Sequence, residues 1–229
     1  TDYSKPSADI VMEADAWQSQ DQEILVRQRA VSRHLDNALV REKCLLCDAN
    51  LKGAQSYRHR HTNYVFCGHC GHLQTLAQLP TGYPHAFAGN GFEAIYPQLD
   101  EQAFVSRRDR IYIPKLEWAL SRMPEAGSNT KKALNASWME IGCGAGYFLS
   151  ALLAKGVKTV SGVDENVDLV VAANERCGDG CVRVTQDLFA DVEACDADFL
   201  AAFFVLEHLE DAFQFWRILS EKPSGTIFL

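Results

Sequence analysis

The second half of the chain alternates between short apolar runs and segments with helical spacing of apolar residues. Five runs predict β-strands, at residues 138–141, 159–163, 182–185, 197–206 and 226–229. The segments at 148–156 and 211–220 have the spacing of amphipathic helices. Strands that alternate with helices favour a parallel sheet joined by right-handed crossovers. We therefore predict an α/β fold with a doubly wound, mostly parallel sheet for residues 136–229.

The residues before this α/β region show three different patterns, which predict three regions. Residues 7–40 have helical spacing and predict that residues 1–40 form a helical arm, which either packs on a later domain or binds a partner. Residues 41–76 are rich in cysteine and predict a small metal-binding module, here called the cysteine module. Residues 77–135 combine a loop or lid rich in Pro, Gly and aromatic residues with a helix at 102–123, after which Pro124 opens a polar linker.

Composition and charge limit the classes of partner. The chain of 229 residues has a formal net charge of −8, which disfavours broad affinity for the phosphate backbone of nucleic acids. Its first 30 residues lack the apolar core of a signal peptide, and the longest apolar run, residues 199–206, is too short to cross a bilayer. We therefore expect a cytoplasmic protein without a membrane partner, in which the eight cysteines are reduced.

Four of the cysteines form two Cys-x-x-Cys pairs separated by 19 residues. The pairs are Cys44 with Cys47 and Cys67 with Cys70. Four thiolates at this spacing can close a tetrahedral shell around Zn²⁺ that leaves no position for a substrate. The module is too small for a sufficient apolar core, so a metal would contribute its folding energy. We therefore predict a structural Zn²⁺ site.

The most informative motif is a run of three glycines after the first predicted strand of the α/β region. Gly142, Gly144 and Gly146 have G-x-G-x-G spacing and precede a helix, so backbone N–H groups can approach a ligand closely. The second strand leads into Asp164, an acid at the position that binds ribose hydroxyls. A dinucleotide site would need its third glycine at position 147, which Tyr147 occupies. The spacing therefore favours another adenosine-containing cofactor, with a dinucleotide or a plain glycine turn as the alternatives.

The residues around these glycines resemble motif I of the class I S-adenosylmethionine (SAM) methyltransferases, in which an acid precedes the first glycine. This resemblance implies a Rossmann-like fold with SAM as the cofactor. It also implies a set of cofactor-binding residues: Glu140, Gly142, Cys143, Gly144, Gly146 and Asp164. In the family, the glycine segment surrounds the methionine part of SAM and the later acid binds its ribose.

Two further cofactor contacts are implied by the same family. An acid after the third strand commonly lies near the adenine amino group, and Asp187 is the candidate, with the backbone of Leu188 beside it. A plain turn aspartate is the alternative. Phe204 stands where some relatives have a glutamate that helps to hold a second metal ion. We therefore expect no second metal ion here. We predict that Phe204 packs against the adenine or the sulfonium instead.

The segment from Val205 to Asp211 resembles a signature that follows the fourth strand of many small-molecule methyltransferases. Ligands of such sheets bind at the carboxyl ends of the strands, so the resemblance implies that Glu207 and His208 lie at the mouth of the cofactor and acceptor site. His208 either accepts a proton from the acceptor or fixes its loop by hydrogen bonding.

The order of these features resembles the class I methyltransferases of sugar and natural-product pathways that carry a zinc module. The family fold adds a helix and an antiparallel hairpin beyond the last predicted strand, so we expect residues 136–229 to be a truncated core. The linker of such enzymes can close over SAM, which makes Phe87, Phe92 and Tyr96 candidates for lid residues or, alternatively, for core residues.

These resemblances predict a SAM-dependent methyltransferase that acts on a small-molecule acceptor, either a sugar or a natural-product intermediate. One alternative is an RNA methyltransferase whose cysteine module binds the substrate, since basic residues outnumber acidic ones between positions 41 and 75. Arg58 and Arg60 lie in a segment that alternates like an edge strand, however, so these charges are expected to face water. Another alternative is a non-catalytic subunit with the SAM-binding fold. We expect no nucleic-acid partner, and assembly into a homo-oligomer stays open.

Overall fold

The computed structural model describes residues 38–59, 62–78, 101–122, 126–209, 211–222 and 226–228, together with Gln22, Leu25, Val26 and Arg29. The chain divides into two compact units, one with the described residues up to 78 and the other with those from 101 onwards. Most of the predicted helical arm and the lid candidates Phe87, Phe92 and Tyr96 lie outside the described residues. Among the described residues, no helix is both long and apolar enough to span a membrane.

The smaller unit contains a three-stranded antiparallel sheet. Its strands are β1 (Ser56–His59), β2 (Thr62–Phe66) and β3 (Leu73–Thr75), in the order β1-β2-β3. One face of β2 contributes Val65, which is buried with Leu51 and two of the cysteines. This cluster is small, as the sequence predicts, and half of its fully buried members are cysteines. The residues of β1 are exposed at the edge of the sheet, which agrees with the expected edge strand.

The larger unit begins with helical segments that precede its sheet. They are α1 (Glu101–Arg107), a π-helical turn (Arg108–Tyr112), α2 (Ile113–Arg122) and α3 (Ala126–Asn135). The polar linker predicted after Pro124 is therefore wrong, because residues 126–135 are helical. Ala133 of α3 is buried, and its carbonyl oxygen accepts a hydrogen bond of 2.8 Å from the indole of Trp138. Packing against the sheet thus stabilises a helix whose own sequence is mostly polar.

The sheet of the larger unit has five parallel strands in the order β6-β5-β4-β7-β8. The strands are β4 (Ser137–Ile141), β5 (Thr159–Asp164), β6 (Val182–Val184), β7 (Phe199–Ala202) and β8 (Thr226–Phe228). The helices between them are α4 (Tyr147–Ala154), α5 (Val167–Cys177), α6 (Leu188–Ala194) and α7 (Ala212–Glu221). The predicted α/β fold with a parallel, Rossmann-like sheet is confirmed.

The order of the strands locates the place where a ligand can bind. The chain runs outwards from β4 through β5 to β6 and then returns to the other side of β4 as β7. The connections that leave β4 and β7 therefore diverge, and the carboxyl ends of these two strands form the topological switch point at which sheets of this type bind ligands. Strand β7 is shorter than the predicted run at 197–206, because the chain turns at Phe203 and Phe204.

Both faces of the sheet are covered. Trp138 of β4 packs with Phe148 and Leu152 of α4 on one face. The neighbouring Met139 points to the other face and packs in the cluster that includes Phe215 of α7. This alternation of side chains, with apolar residues on both faces, is typical of a parallel sheet buried between helices.

Candidate cofactor site and four-cysteine cluster

The loop between β4 and α4 consists of Gly142 to Gly146 and is here called the glycine loop. Its glycines have left-handed backbone angles, with φ of +66° at Gly142, +52° at Gly144 and +78° at Gly146. An ideal Cβ at Gly142 would lie 2.6 Å from Cγ2 of Val205, and one at Gly146 would lie 3.1 Å from Cβ of Ala173. The first and third glycines are therefore required by close packing as well as by φ. Gly144 has no neighbour within 4 Å of its ideal Cβ, so its constraint is φ alone.

Asp164, at the end of β5, holds the glycine loop. Its Oδ2 accepts a hydrogen bond of 2.8 Å from the backbone N–H of Gly144, and its Oδ1 accepts one of 2.9 Å from the backbone N–H of Asn166. Burial raises the pKa of Asp164, although the bonds from these N–H groups oppose the rise. A carboxylate has about four acceptor positions, so these two N–H groups and that of Glu165 leave room for a ribose hydroxyl.

Asn166 continues this arrangement into the next helix and was not singled out from the sequence. It is the N-cap of α5, and its Oδ1 accepts hydrogen bonds from the backbone N–H groups of Asp168 at 3.0 Å and Leu169 at 3.1 Å. The signal was available, since asparagine directly before a helical pattern is a preferred N-cap. The turn that carries Asp164 is therefore anchored on both sides.

Glu140 lies beneath the glycine loop and is 3% exposed. It accepts a hydrogen bond from the backbone N–H of Leu149, in the first turn of α4, while its Oε2 has no hydrogen-bond partner among the described atoms. Burial raises the pKa of Glu140 well above its usual value, the charge of Asp164 adds to the rise, and the charge of Lys115 opposes it. A buried carboxyl oxygen without a partner is a site at which a polar group of a cofactor can bind.

Cys143 belongs to the glycine loop through its backbone, whereas its side chain is buried. An ideal Cβ on Gly162 of β5 would lie 2.9 Å from Sγ of Cys143, so this thiol fills the space that Gly162 leaves open. Burial raises the pKa of the Cys143 thiol, and the charges of Glu140 and Asp164 raise it further. The side chain is therefore a packing group, and only the backbone of Cys143 can face a cofactor.

The remaining predicted cofactor residues lie on either side of this centre. Asp187 is the N-cap of α6, where its Oδ1 accepts a hydrogen bond of 3.1 Å from the backbone N–H of Ala190, and Leu188 begins that helix. The backbone N–H of Thr185 donates to the carbonyl oxygen of Asp164 at 2.9 Å, which joins the end of β6 to the end of β5. The capping role shows why an acid stands at position 187, and its contact with adenine stays a prediction.

On the other side, the chain after β7 turns sharply beside the glycine loop. Phe204 has φ of +59° and is 63% exposed. Leu206 to His208 form a short 3-10 helix in which Glu207 and His208 are exposed. The backbone N–H of His208 donates to the carbonyl oxygen of Val205 at 2.9 Å, and no side chain in the described part of the chain hydrogen-bonds its imidazole. The contact of Val205 with Gly142 places this segment next to the predicted cofactor site.

In the smaller unit, the four predicted ligand cysteines come together. The sulfur atoms of Cys44, Cys47, Cys67 and Cys70 all lie within 4.8 Å of one another. Sγ of Cys44 is 3.6 Å from that of Cys70, and Sγ of Cys47 is 3.5 Å from that of Cys67. A tetrahedral metal with bonds of about 2.3 Å to sulfur requires sulfur–sulfur separations of about 3.8 Å. The cluster therefore fits a metal ion bound by four thiolates.

Backbone N–H groups and the side chain of Gln74 support this cluster. The N–H of Leu46 donates to Sγ of Cys44 at 3.4 Å, and the N–H groups of Cys70 and His69 lower the pKa of Cys67 to about 6. The amide of the buried Gln74 accepts from the N–H of Leu45 at 2.9 Å, which fixes the first Cys-x-x-Cys turn. Gln74 was not identified from the sequence, because it lies on β3 and has no motif of its own.

A comparison with protein families matches the part of the chain that contains the glycine loop. Residues 139–222 match a family profile described as a methyltransferase domain. The comparison with curated proteins found no match.

Solved structures to which parts of this chain are similar include a Thermoplasma acidophilum protein at 18% identity, a Pyrococcus horikoshii protein at 22%, and an S-adenosylmethionine-dependent methyltransferase from Mesorhizobium loti at 18%. The alignments cover 51%, 59% and 46% of this chain and 67%, 63% and 50% of those chains, with TM-scores of 0.34, 0.40 and 0.33. This chain thus spans between half and about two thirds of their lengths.

The matched segment contains the site described above. It begins on β4, includes the glycine loop, Asp164 and the turn after β7, and ends after α7. The family implies SAM as the cofactor, and the left-handed glycines, the anchored Asp164 and the unpartnered oxygen of Glu140 fit it. Residues 139–222 therefore form a class I SAM-dependent methyltransferase domain, which follows an N-terminal four-cysteine cluster that could bind a metal.

Proposed function

We propose that this domain transfers a methyl group from SAM to a small-molecule acceptor, either a sugar or a natural-product intermediate. The observation that carries the proposal is the exposure of Glu207 and His208 in the turn after β7, directly beside the glycine loop. An acceptor that reaches this edge of the sheet would meet one carboxylate and one imidazole. The net charge of −8 also favours a small acceptor over a polyanion.

When bound, SAM supplies an activated methyl group on a positively charged sulfur. The backbone N–H groups of the glycine loop would hold its methionine part, and the remaining acceptor position of Asp164 would hold a ribose hydroxyl. The backbone of Leu188 and the side chain of Asp187, at the start of α6, would lie beside the adenine. The protein then contributes mainly by fixing donor and acceptor in line.

His208 is the candidate base for an acceptor that loses a proton during transfer. Its exposed imidazole can accept that proton, whereas the 3-10 turn is held by a backbone hydrogen bond to Val205. Replacing His208 with Gln would keep the turn and remove the base. We expect that His208→Gln leaves SAM affinity unchanged and flattens the acid limb of the pH–rate profile. An unchanged profile would assign His208 no role in proton transfer.

We further propose that the four-cysteine cluster binds Zn²⁺ as a structural ion. The four sulfur atoms can fill all positions of a tetrahedral shell, so no substrate could enter it. Zinc analysis of the purified full chain, together with release of zinc on modification of the thiols, tests this assignment. One zinc ion per chain is the expected result, and iron with visible absorbance would contradict it.

An RNA acceptor is the second candidate, and an aromatic surface on the cysteine module favours it. Tyr57 stacks on Tyr64 with centroids 5.4 Å apart and lies 5.8 Å from the ring of Phe66. Tyr57 and Phe66 are 41% and 39% exposed, and sheets with such rings can stack unpaired bases. Binding of single-stranded RNA that weakens steeply with salt, and about tenfold in Tyr57→Ala, would support this candidate.

The decisive experiment for the main proposal has two steps. Calorimetric titration of the full chain with SAM tests the cofactor, and a screen for methyl transfer to nucleotide sugars and natural-product intermediates tests the acceptor. Binding of SAM without transfer to any acceptor would favour a non-catalytic subunit with the SAM-binding fold. Transfer to RNA but to no small molecule would replace the first candidate with the second.

A further inference from the structure

Three aromatic rings surround the side-chain ammonium of Lys115. Its Nζ lies 5.1 Å from the ring centroid of Tyr112, 4.7 Å from that of Phe203 and 4.9 Å from that of Phe204. All three distances are within the range of about 6 Å over which a cation is attracted to the face of a ring. We call these three rings the aromatic cage. The site residues predicted from the sequence include only one of them, Phe204.

The aromatic cage stands at the carboxyl edge of the sheet, at the topological switch point. Phe203 and Phe204 directly follow Ala202 of β7, which pairs with Ile141 of β4. Ile141 directly precedes the glycine loop, so Phe203 and Phe204 leave the sheet at the same edge as that loop. The next residue, Val205, contacts Gly142, which keeps the two segments together.

Two walls of the cage are fixed to the helix that follows the glycine loop. Tyr112 stacks on Tyr147 with centroids 5.3 Å apart and planes at 7°. Phe203 meets Phe148 edge to face, with centroids 4.9 Å apart and planes at 71°. Tyr147 and Phe148 are the first two residues of α4. The cage is therefore positioned by the same helix whose N-terminus closes the predicted cofactor site.

The third wall, Phe204, has two unusual properties. Its φ of +59° is rare for a residue other than glycine, and the residue is 63% exposed. Burial of the side chain therefore does not account for this conformation. Strained residues of this kind concentrate at ligand-binding sites, so the conformation of Phe204 is a second, independent indication of a site.

A positive charge in the aromatic cage also interacts with Glu140. The charge of Lys115 favours the ionised form of that buried carboxyl group, against the effects of burial and of Asp164. Any single positive charge at the same place would have this effect. The surroundings thus suit a cation, and they would suit one carried by a ligand as well as that of Lys115.

We propose that the aromatic cage binds the sulfonium of SAM and that the ammonium of Lys115 occupies it in the cofactor-free protein. This inference rests on the proposed use of SAM. Sulfonium and ammonium are both compact single positive charges, so the rings attract both and the two compete. The product S-adenosylhomocysteine has a neutral sulfur, which the rings attract no more than any apolar group. Lys115 can then return to the cage, which favours release of the product.

Calorimetric titration with SAM and with S-adenosylhomocysteine tests the proposal, because the two ligands differ in the charge on sulfur. We expect Phe204→Leu to weaken SAM binding about 3- to 10-fold and to change S-adenosylhomocysteine binding less than about twofold. We expect Lys115→Leu to strengthen SAM binding, because the competitor is lost, and to leave S-adenosylhomocysteine binding unchanged. Two variants are the matched controls. Lys115→Arg keeps a competing cation. Phe213→Leu replaces an exposed aromatic residue of α7 that lies outside the cage.

Each result either supports or overturns the aromatic cage. Equal weakening of both ligands in Lys115→Leu would show that Lys115 binds a group the two ligands share, and would overturn the proposal. If Phe204→Leu changed the affinity for both ligands equally, Phe204 would make only an apolar contact with them. This result would also overturn the proposal. Thermal melting without ligand checks that each variant is folded. Failure of the wild-type chain to bind SAM at all would overturn the proposed function together with the cage, whereas the other outcomes overturn the cage alone.

Discussion

The carboxylate of Asp164 and the backbone N–H of Gly144 form a hydrogen bond of 2.8 Å that joins the end of β5 to the glycine loop. The same carboxylate bonds the N–H of Asn166, which caps the following helix. One side chain therefore holds together the two chain segments that are predicted to bind the methionine part and the ribose of SAM. Loss of its charge should affect both at once.

Asp164→Asn tests this arrangement. The amide keeps the size of the side chain but places an NH₂ group against a backbone N–H, so one of the two hydrogen bonds is lost. Hydrogen bonds to charged groups contribute about 1.5–3 kcal/mol, so we expect the dissociation constant for SAM to rise about 10- to 100-fold in calorimetry. Asp168→Asn, at an exposed position of α5, is the matched control. An equal loss in both variants would contradict the role of Asp164.

Gly142→Ala and Gly144→Ala separate steric packing from backbone strain. Both positions have positive φ, which costs an alanine about 1–2 kcal/mol. Only the new Cβ at Gly142 would meet Val205, at 2.6 Å, and such overpacking adds about 1–3 kcal/mol. Urea denaturation should therefore show a larger loss of unfolding free energy for Gly142→Ala. In a Val205→Ala background the two losses should become similar, and a persistent difference would contradict the clash.

Removal of metal should affect the cysteine module and leave the methyltransferase domain folded. The buried core of the module is small and includes two of the cysteines, so its stability depends on their being held together. After chelation, we expect rapid proteolysis within residues 38–78 and slow proteolysis within 126–222. Cys70→Ser should reproduce this pattern, whereas Cys195→Ser, outside the cluster, should not. Unchanged cleavage after complete loss of metal would contradict a structural role.

The stability of the methyltransferase domain should depend on pH through Glu140. Its pKa is raised in the folded protein, chiefly by burial, whereas in the unfolded chain it is near 4.5. Between these two values the folded state binds more protons, so the unfolding free energy falls as pH rises above about 4.5. Glu140→Gln removes this dependence and still accepts the hydrogen bond from Leu149.

We expect Glu140→Gln to be more stable than the wild type at pH 7, by about 1.4 kcal/mol for each pH unit between 4.5 and the raised pKa, counted no further than pH 7. Urea denaturation without ligand, between pH 5 and pH 8, measures this difference. Glu175→Gln, at an exposed position of α5, should keep the slope of the wild type. Parallel curves for wild type and Glu140→Gln would show that Glu140 is not responsible.

The parts of the site that depend on local sequence could be predicted from the sequence. Strand β4, the glycine loop and Asp164 follow from apolar runs and glycine spacing, because the backbone angles of the loop permit little else. The four cysteines come together as their spacing predicts. The α/β fold follows from the alternation of strands and helices. In each case the pattern is one of spacing along the chain and does not depend on which distant segments pack together.

Contacts between distant segments could not be predicted in the same way. Lys115 and Phe203 are far apart in sequence, and neither belongs to a recognisable motif. Gln74 supports a cysteine turn that lies 29 residues away. The apolar residues Phe203 and Phe204 predict that the strand continues, yet the chain turns there. Helix α3 has a polar sequence and is stabilised by packing on the sheet, which no local pattern reveals.

The π-helical turn at Arg108–Tyr112 contains an i to i−5 hydrogen bond, from the N–H of Ile113 to the carbonyl oxygen of Arg108. It changes the helical phase, so that Phe104, before it, and Tyr112, at its end, both stack on the ring of Tyr147. The turn accommodates one extra residue, so deleting one residue there would restore ordinary α-helical periodicity and place Tyr112 within about 20° of two full turns from Phe104. Such a deletion would therefore shorten the segment by one residue, keep the helix continuous and leave both rings on the side that meets Tyr147.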